Sequence, residues 1–153
     1  MEYEIVELEA AKVVGLTART NNMAEDMTRI IGGLWSDFYG KGIYDAIPGK
    51  VDCKAIGLYS DYAGDEKCDY SITVCCRATG EGDLPQATVV KQIPAGTYAR
   101  FIVRGDLHKA VAEFWQELWG MDLKRTFTAD FEEYQNSDEE HAEIHMYIAV
   151  DQQ

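Results

Sequence analysis

A carboxylate set among aromatic rings is chemistry suited to holding a lipophilic cation, and one stretch of this 153-residue sequence gathers those residue types. It comprises residues 126–134 and, after the polar turn 136–140, residues 143–150. Both segments alternate as strands do, and strand side chains point to opposite faces with period two. In the first, Phe127, Ala129 and Phe131 share one face, and Thr128, Asp130, Glu132 and Tyr134 share the other. In the second, Ile144, Met146, Ile148 and Val150 form an apolar face, opposite Glu143, His145 and Tyr147. Paired as a hairpin with the apolar sides in the core, these strands would gather Glu132, Tyr134, His145 and Tyr147 on the non-core face. Each ring attracts a cation by roughly 0.5–2 kcal/mol. A partly desolvated glutamate adds a less screened opposite charge. The same residues would also suit a solvated sheet face, where tyrosine and threonine are common. His145 reads either as a proton carrier or as an ordinary surface histidine.

The elements that must position this cluster follow from periodicity. Residues 3–18 begin with an alternating stretch and include Lys12-Val-Val-Gly-Leu16, which reads as a strand. Asn21-Asn22 offers a helix cap. From Met23 to Tyr39, Met27, Ile30, Ile31, Leu34, Trp35 and Phe38 step by three and four, the pattern of an amphipathic helix. Gly40, Gly42, Pro48 and Gly49 break it into a loop. Residues 54–62 and 68–78 read as a hairpin around Gly64-Asp65, and residues 80–86 as the connection between halves. A strand over 96–103 then leads through Gly105-Asp106 into a helix over about 107–119, with Leu107, Ala110, Val111, Phe114, Trp115 and Leu118 on its apolar stripe.

The order β-α-β-β is thus written twice, in half-repeats of about 1–80 and 87–153 within a single domain. Short echoes support the duplication: Ile31-Gly-Gly-Leu-Trp-Ser-Asp-Phe-Tyr-Gly40 resembles Val111-Ala-Glu-Phe-Trp-Gln-Glu-Leu-Trp-Gly120, and Gly57-Leu-Tyr-Ser-Asp-Tyr62 can be laid on Ala129-Asp-Phe-Glu-Glu-Tyr134. Neither copy could bury its apolar face alone. The expected fold is therefore α+β, a tandem β-α-β-β repeat with pseudo-twofold symmetry. It has one antiparallel-rich sheet, two main helices on one face, and a cleft between the halves. Trp115 and Trp119, one helical turn apart, would supply a core side chain and a cleft wall. Tyr62, as the counterpart of Tyr134, would face it across the pseudo-twofold axis.

Bulk properties narrow the function classes. Hydrophobic residues make up 46% and charged residues 27%, ordinary for a globular protein. With 27 acids against 14 bases the net charge is −13, which repels phosphate backbones and anionic membranes, so no direct nucleic-acid or membrane partner is expected. No apolar run is long enough to span a bilayer. The acidic start Met1-Glu2-Tyr3-Glu4 is unlike a signal peptide, so the chain reads as cytoplasmic. Cys53, Cys68, Cys75 and Cys76 form no C-x-x-C pair and no histidine lies at ligand spacing, so reduced thiols, no metal and no cofactor are expected.

Thr97-Tyr-Ala-Arg-Phe-Ile-Val-Arg-Gly105, Trp119-Gly120, Asp130-Phe-Glu-Glu-Tyr134 and Glu143-Ile-His-Met-Tyr-Ile-Ala-Val150 occur in an order and spacing that resemble the GyrI-like small-molecule-binding family, also known as the AraC-type effector-binding domain. Leu34-Trp-Ser-Asp-Phe38 fits it as well, so the resemblance covers nearly the whole chain. It implies a tandem pair of β-α-β-β modules. It also implies a Phe-Glu-x-Tyr motif whose glutamate, Glu132 here, lies at the base of a ligand cleft beside Tyr134, with Tyr147 of the last strand lining the same pocket. The implied partner is a small cationic, aromatic or lipophilic molecule, taken up for sequestration or effector sensing. Some members inhibit DNA gyrase and others resemble hydrolases that open strained cyclopropane-bearing toxins. A hydrolase using Glu132 to activate water, and an inhibitor docking on a protein partner, are therefore the alternatives to non-enzymatic capture. The sequence departs from the family pattern in three respects. No helix-turn-helix region is expected before the domain, Gly105-Asp106 replaces the usual Gly-Pro, and the last strand lacks a frequent proline.

Overall fold

The computed structural model describes residues 1–65 and 67–151. Its strands are β1 (Glu4–Leu8), β2 (Ala11–Thr20), β3 (Ala55–Ser60), β4 (Tyr70–Arg77), β5 (Val89–Ile93), β6 (Gly96–Gly105), β7 (Arg125–Tyr134) and β8 (Ala142–Val150). The helices are α1 (Met27–Gly40), the single turn α2 (Ile43–Ala46) and α3 (Leu107–Trp119). All eight strands join one antiparallel sheet in the order β1-β6-β8-β7-β3-β4-β2-β5. Exchanging β1 with β5, β2 with β6, β3 with β7 and β4 with β8 reproduces that order reversed. This is the pseudo-twofold symmetry expected of the duplication, with its axis between β3 and β7.

Each half carries one strand more than the β-α-β-β pattern. The stretch over residues 3–18 breaks at Glu9-Ala10 into β1 and β2, and β5 forms between residues 87 and 95, where the sequence pattern predicts no element. The extra strands are exchanged: β1 pairs with β6 of the second half, and β5 with β2 of the first. Only two residues separate β1 from β2 and β5 from β6, so Leu8 and Ala11 lie within about 11 Å of each other. The two ends of the sheet are thereby drawn together. The sheet curls until Val13, Ile93, Tyr98 and Ala149 share one buried cluster with Phe131 and Tyr147 on its inner face.

The helices cover the other face, at its flanks. Phe114 and Leu118 of α3 pack with Ala99, Phe101, Met146 and Ile148, while Phe38 of α1 and Ile47 after α2 pack with Val14, Leu16, Val74 and Cys76. The central strands β3 and β7 are left between the two helices. α1 begins four residues later than its apolar spacing predicts. The Asn21 carboxamide accepts from Met23 N (2.9 Å) and donates to Asp69 (2.9 Å), and the Tyr70 hydroxyl donates to Asn22 (2.8 Å), holding this turn on β4 and leaving Met23 78% exposed. At α3, Asp106 caps the helix by accepting from Lys109 N (3.1 Å), so the departure at Gly105-Asp106 supplies a cap. The four cysteines are free thiols. No described helix is long and apolar enough to cross a membrane.

Candidate functional site

Strand β7 points Asp130, Glu132 and Tyr134 toward the helices. Its neighbour β3 places Tyr59, Gly57 and Ala55 directly opposite them on the same face. Glu132 is 3% exposed, and its described hydrogen-bond partners are both tyrosines. Tyr59 donates to Oε1 at 2.5 Å and Tyr134 to Oε2 at 2.6 Å. Gly57 makes room for this carboxylate, because a Cβ there would lie 3.0 Å from Glu132 Cγ. Burial pushes the Glu132 carboxyl above the ordinary glutamate range, a rise that the two hydroxyl donors only partly offset. Burial, and then the adjacent carboxylate, push the Tyr59 and Tyr134 hydroxyls far up, so both remain protonated donors.

A tryptophan from each helix seats these tyrosines edge-on. Trp35 of α1 meets Tyr134 (5.1 Å, 84°) and Trp115 of α3 meets Tyr59 (5.2 Å, 67°). Above Tyr59 a cavity of about 230 Å³ opens between the helices. Its walls are Met27 and Ile31 of α1 with Ala112, Trp115, Gln116 and Trp119 of α3, and its floor includes Tyr59, Tyr62, Tyr70 and Arg125. Trp119, 46% exposed, stands at the rim. Glu132 and Tyr134 are not among the lining residues; the cavity reaches Glu132 through Tyr59, whose hydroxyl donates to that buried carboxylate. Among the described residues no group of three or more His, Cys, Asp or Glu could hold a metal ion.

The expected cluster is divided by the sheet. Phe131 pairs with Tyr147, Glu132 with Met146, and Glu133 with His145, so Tyr147 and His145 lie on the inner face, opposite Glu132 and Tyr134. Tyr147 stacks flat on Phe131 (4.5 Å, 11°), and the His145 ring lies 3.1 Å from Glu143. Neither lines the cavity. The physical reason is that the sheet is buried on both sides: the curled inner face takes its own aromatic core, so an apolar set does not mark the helix-covered face. The inner face also takes Glu133, paired with Arg77 and with Lys54 at 3.8 Å. Burial raises the Glu133 carboxyl, but bonds from Gln135 and Arg77 outweigh it and hold the group low.

Trp115, Trp119 and Tyr62 do line the cavity. Tyr62, however, lies beyond the end of β3 and donates to Asp130 (2.7 Å), away from Tyr134. Sequence reasoning did not find Tyr59, Trp35, Tyr70 or Arg125. For Tyr59 a signal existed, since it alternates with Gly57 along β3 and so shares the face that meets Glu132. For Arg125 none did, because a bulge sets its position.

Residues 4–150 match the model of the Cass2 family, described as integron-associated effector binding proteins. No curated protein matches the chain. Among solved structures, an integron cassette protein from the mobile metagenome of Vibrio cholerae is 28% identical with a TM-score of 0.80, over 97% of this chain and 95% of its own. SAV2435, solved bound to tetraphenylphosphonium, is 21% identical with a TM-score of 0.75 over 97% and 94%. The C-terminal domain of EcmrR is 19% identical with a TM-score of 0.62 over the full length of both.

Proposed function

The chain belongs to the Cass2 family of integron-associated effector-binding proteins, and on that premise we propose that it captures a small lipophilic, aromatic cation in the cleft between α1 and α3. The observation that carries this reading is Glu132. It is a buried carboxylate at the centre of the sheet, and among the described residues it has no cationic partner, only the hydroxyls of Tyr59 and Tyr134. Ionising a buried carboxylate without a counter-ion is costly, and an incoming cation would supply the missing partner. Rings at Tyr59, Tyr62, Trp115 and Trp119 give that cation stacking surfaces with little demand on hydrogen-bond geometry, which suits varied ligands. The cavity is smaller than an ordinary ligand pocket, so larger cations would enter as the rim residue Trp119 swings outward. The tetraphenylphosphonium complex of SAV2435 supports the same ligand class on the same fold.

The test is a titration with tetraphenylphosphonium and with a neutral triaryl analogue, followed by tryptophan fluorescence, in the wild type and in Glu132→Gln. The substitution should weaken cation binding by about tenfold or more, a loss near 1.4 kcal/mol, and leave the neutral compound nearly unaffected. Equal losses for both would remove the counter-ion role. Chemical conversion of a bound electrophile beyond one equivalent of protein, lost in Glu132→Gln, would instead favour hydrolysis.

A further inference from the structure

Two buried carboxylates lie two residues apart on the cleft-facing side of β7, and the fold treats them differently. Glu132 is met by hydroxyl groups. Asp130, 0% exposed, has a cation of its own: Arg125 Nη2 lies 2.7 Å from Oδ2, while Tyr62 donates to the same oxygen and Ala149 N donates to Oδ1 at 3.0 Å. The Arg125 side chain is 8% exposed, and its guanidinium carbon lies 4.3 Å from the centre of the Phe127 ring. Phe127 has φ +53°, within the irregular stretch where the β7–β8 register shifts between Arg125 and Asp130. Positive φ is unfavourable for an aromatic residue, and here it accompanies the bulge that sets the guanidinium between Phe127 and Asp130. A carboxylate, a tyrosine donor and an aromatic face thus surround Arg125, and a ligand cation would find the same kinds of group around Glu132.

We propose that Arg125 is a built-in cation that fixes the ligand's charge at one: it fills the Asp130 subsite and leaves a single uncompensated negative charge, at Glu132. This rests on the cleft being the cation site. Arg125, Tyr62 and Tyr59 line one cavity, so a second positive charge on a ligand would approach the guanidinium with no free carboxylate to receive it. Like charges at such range repel strongly in a partly dry site. A non-selective acidic surface, on a chain of net charge −13, would show the opposite preference, for the dication.

The experiment compares ethidium with propidium, which carries the same ring system and a second quaternary ammonium, by fluorescence anisotropy on the intact chain. The wild type should bind ethidium about tenfold or more tightly than propidium. Arg125→Gln frees the Asp130 carboxylate for the second charge and should shift that ratio toward propidium by about tenfold. The double variant Arg125→Gln with Asp130→Asn removes the repulsion without adding an acid, so its ratio should fall between the two. It leaves no unpaired buried charge, so it tests the idea even if the single variant does not fold. Equal affinities in the wild type, or an unchanged ratio in the variants, would overturn the inference while leaving the cation site standing. Failure of the wild type to bind either dye would overturn both readings.

Discussion

Replacing Gly57 with alanine probes whether Glu132 is as tightly held as its geometry indicates. The new Cβ would lie 3.0 Å from Glu132 Cγ, 3.1 Å from Oε1 and 3.3 Å from Cδ, where ordinary contact begins at 3.4 Å. The side chain must therefore retreat by about 0.4 Å, the difference between 3.4 and 3.0. It has little room to do so, because Tyr59 and Tyr134 hold its two oxygens at 2.5 and 2.6 Å. Overpacking of this kind costs about 1–3 kcal/mol, against a gain of roughly 0.5–1 kcal/mol from removing a strand glycine. Gly57→Ala should thus destabilise by about 1 kcal/mol. In a Glu132→Ala background every clashing atom is gone and the same substitution should become stabilising. Urea denaturation of the four proteins gives the coupling between the two sites, expected at about 1–3 kcal/mol, with the slope of the transition unchanged. A coupling under about 0.5 kcal/mol would show that the carboxylate moves freely, and the description of a fixed, tyrosine-clamped glutamate would be wrong.

The raised Glu132 carboxyl also has a pH signature. Its native pKa lies above the unfolded value, so its contribution to stability is fully present below the unfolded pKa and is lost as pH rises through the native one. The stability of the wild type minus that of Glu132→Gln should therefore fall across that window, about 1.36 kcal/mol per unit of displacement, and a rise in urea-melt comparisons over the same window would contradict the burial argument. Proton and cation compete for one carboxylate, so affinity for tetraphenylphosphonium should drop as pH falls through the same window, and a pH-independent titration would separate binding from Glu132. Asp106→Ala removes the cap on Lys109 N and should cost about 1 kcal/mol, read as a lowered thermal midpoint with cation affinity retained where the protein is folded.

How far the sequence reveals this protein depends on which physical rule each element obeys. α3 follows from the step of Leu107, Val111, Phe114, Trp115 and Leu118, because a helix resting on a sheet has one apolar stripe, and its observed bounds match. The start of α1 does not follow, since side chains from Asn21, Asp69 and Tyr70, far apart in sequence, decide it. β1 and β5 escape because each is stabilised by the other half of the chain. The last two strands pair as expected, but the assignment of their faces fails for a different reason. Alternation identifies two faces, but naming one of them the core presumes that only one is buried, and here Phe131 and Tyr147 are buried on the side away from the helices. The internal alignment carries a related error. Laying Gly57 on Ala129 equates residues on opposite faces, since Gly57 pairs with Glu132 and Ala129 with Ser60.

That error bears on how the site can exist in a duplicated fold. The pseudo-twofold axis passes between β3 and β7, so the halves meet where the helices leave the sheet uncovered, and the cleft is a product of the duplication. The helix tryptophans keep the symmetry in crossed form: Trp35 of the first half seats Tyr134 of the second, and Trp115 of the second seats Tyr59 of the first. The charge cannot keep it. Gly57 stands directly across from Glu132, and a second carboxylate at that cross-strand position would oppose the first at close range in a buried site, an arrangement that destabilises a sheet. An acid on one strand therefore requires a small, uncharged residue on its neighbour. Symmetry builds the cleft, and the loss of symmetry at Gly57 and Glu132 allows it to hold a carboxylate without a cationic partner of its own.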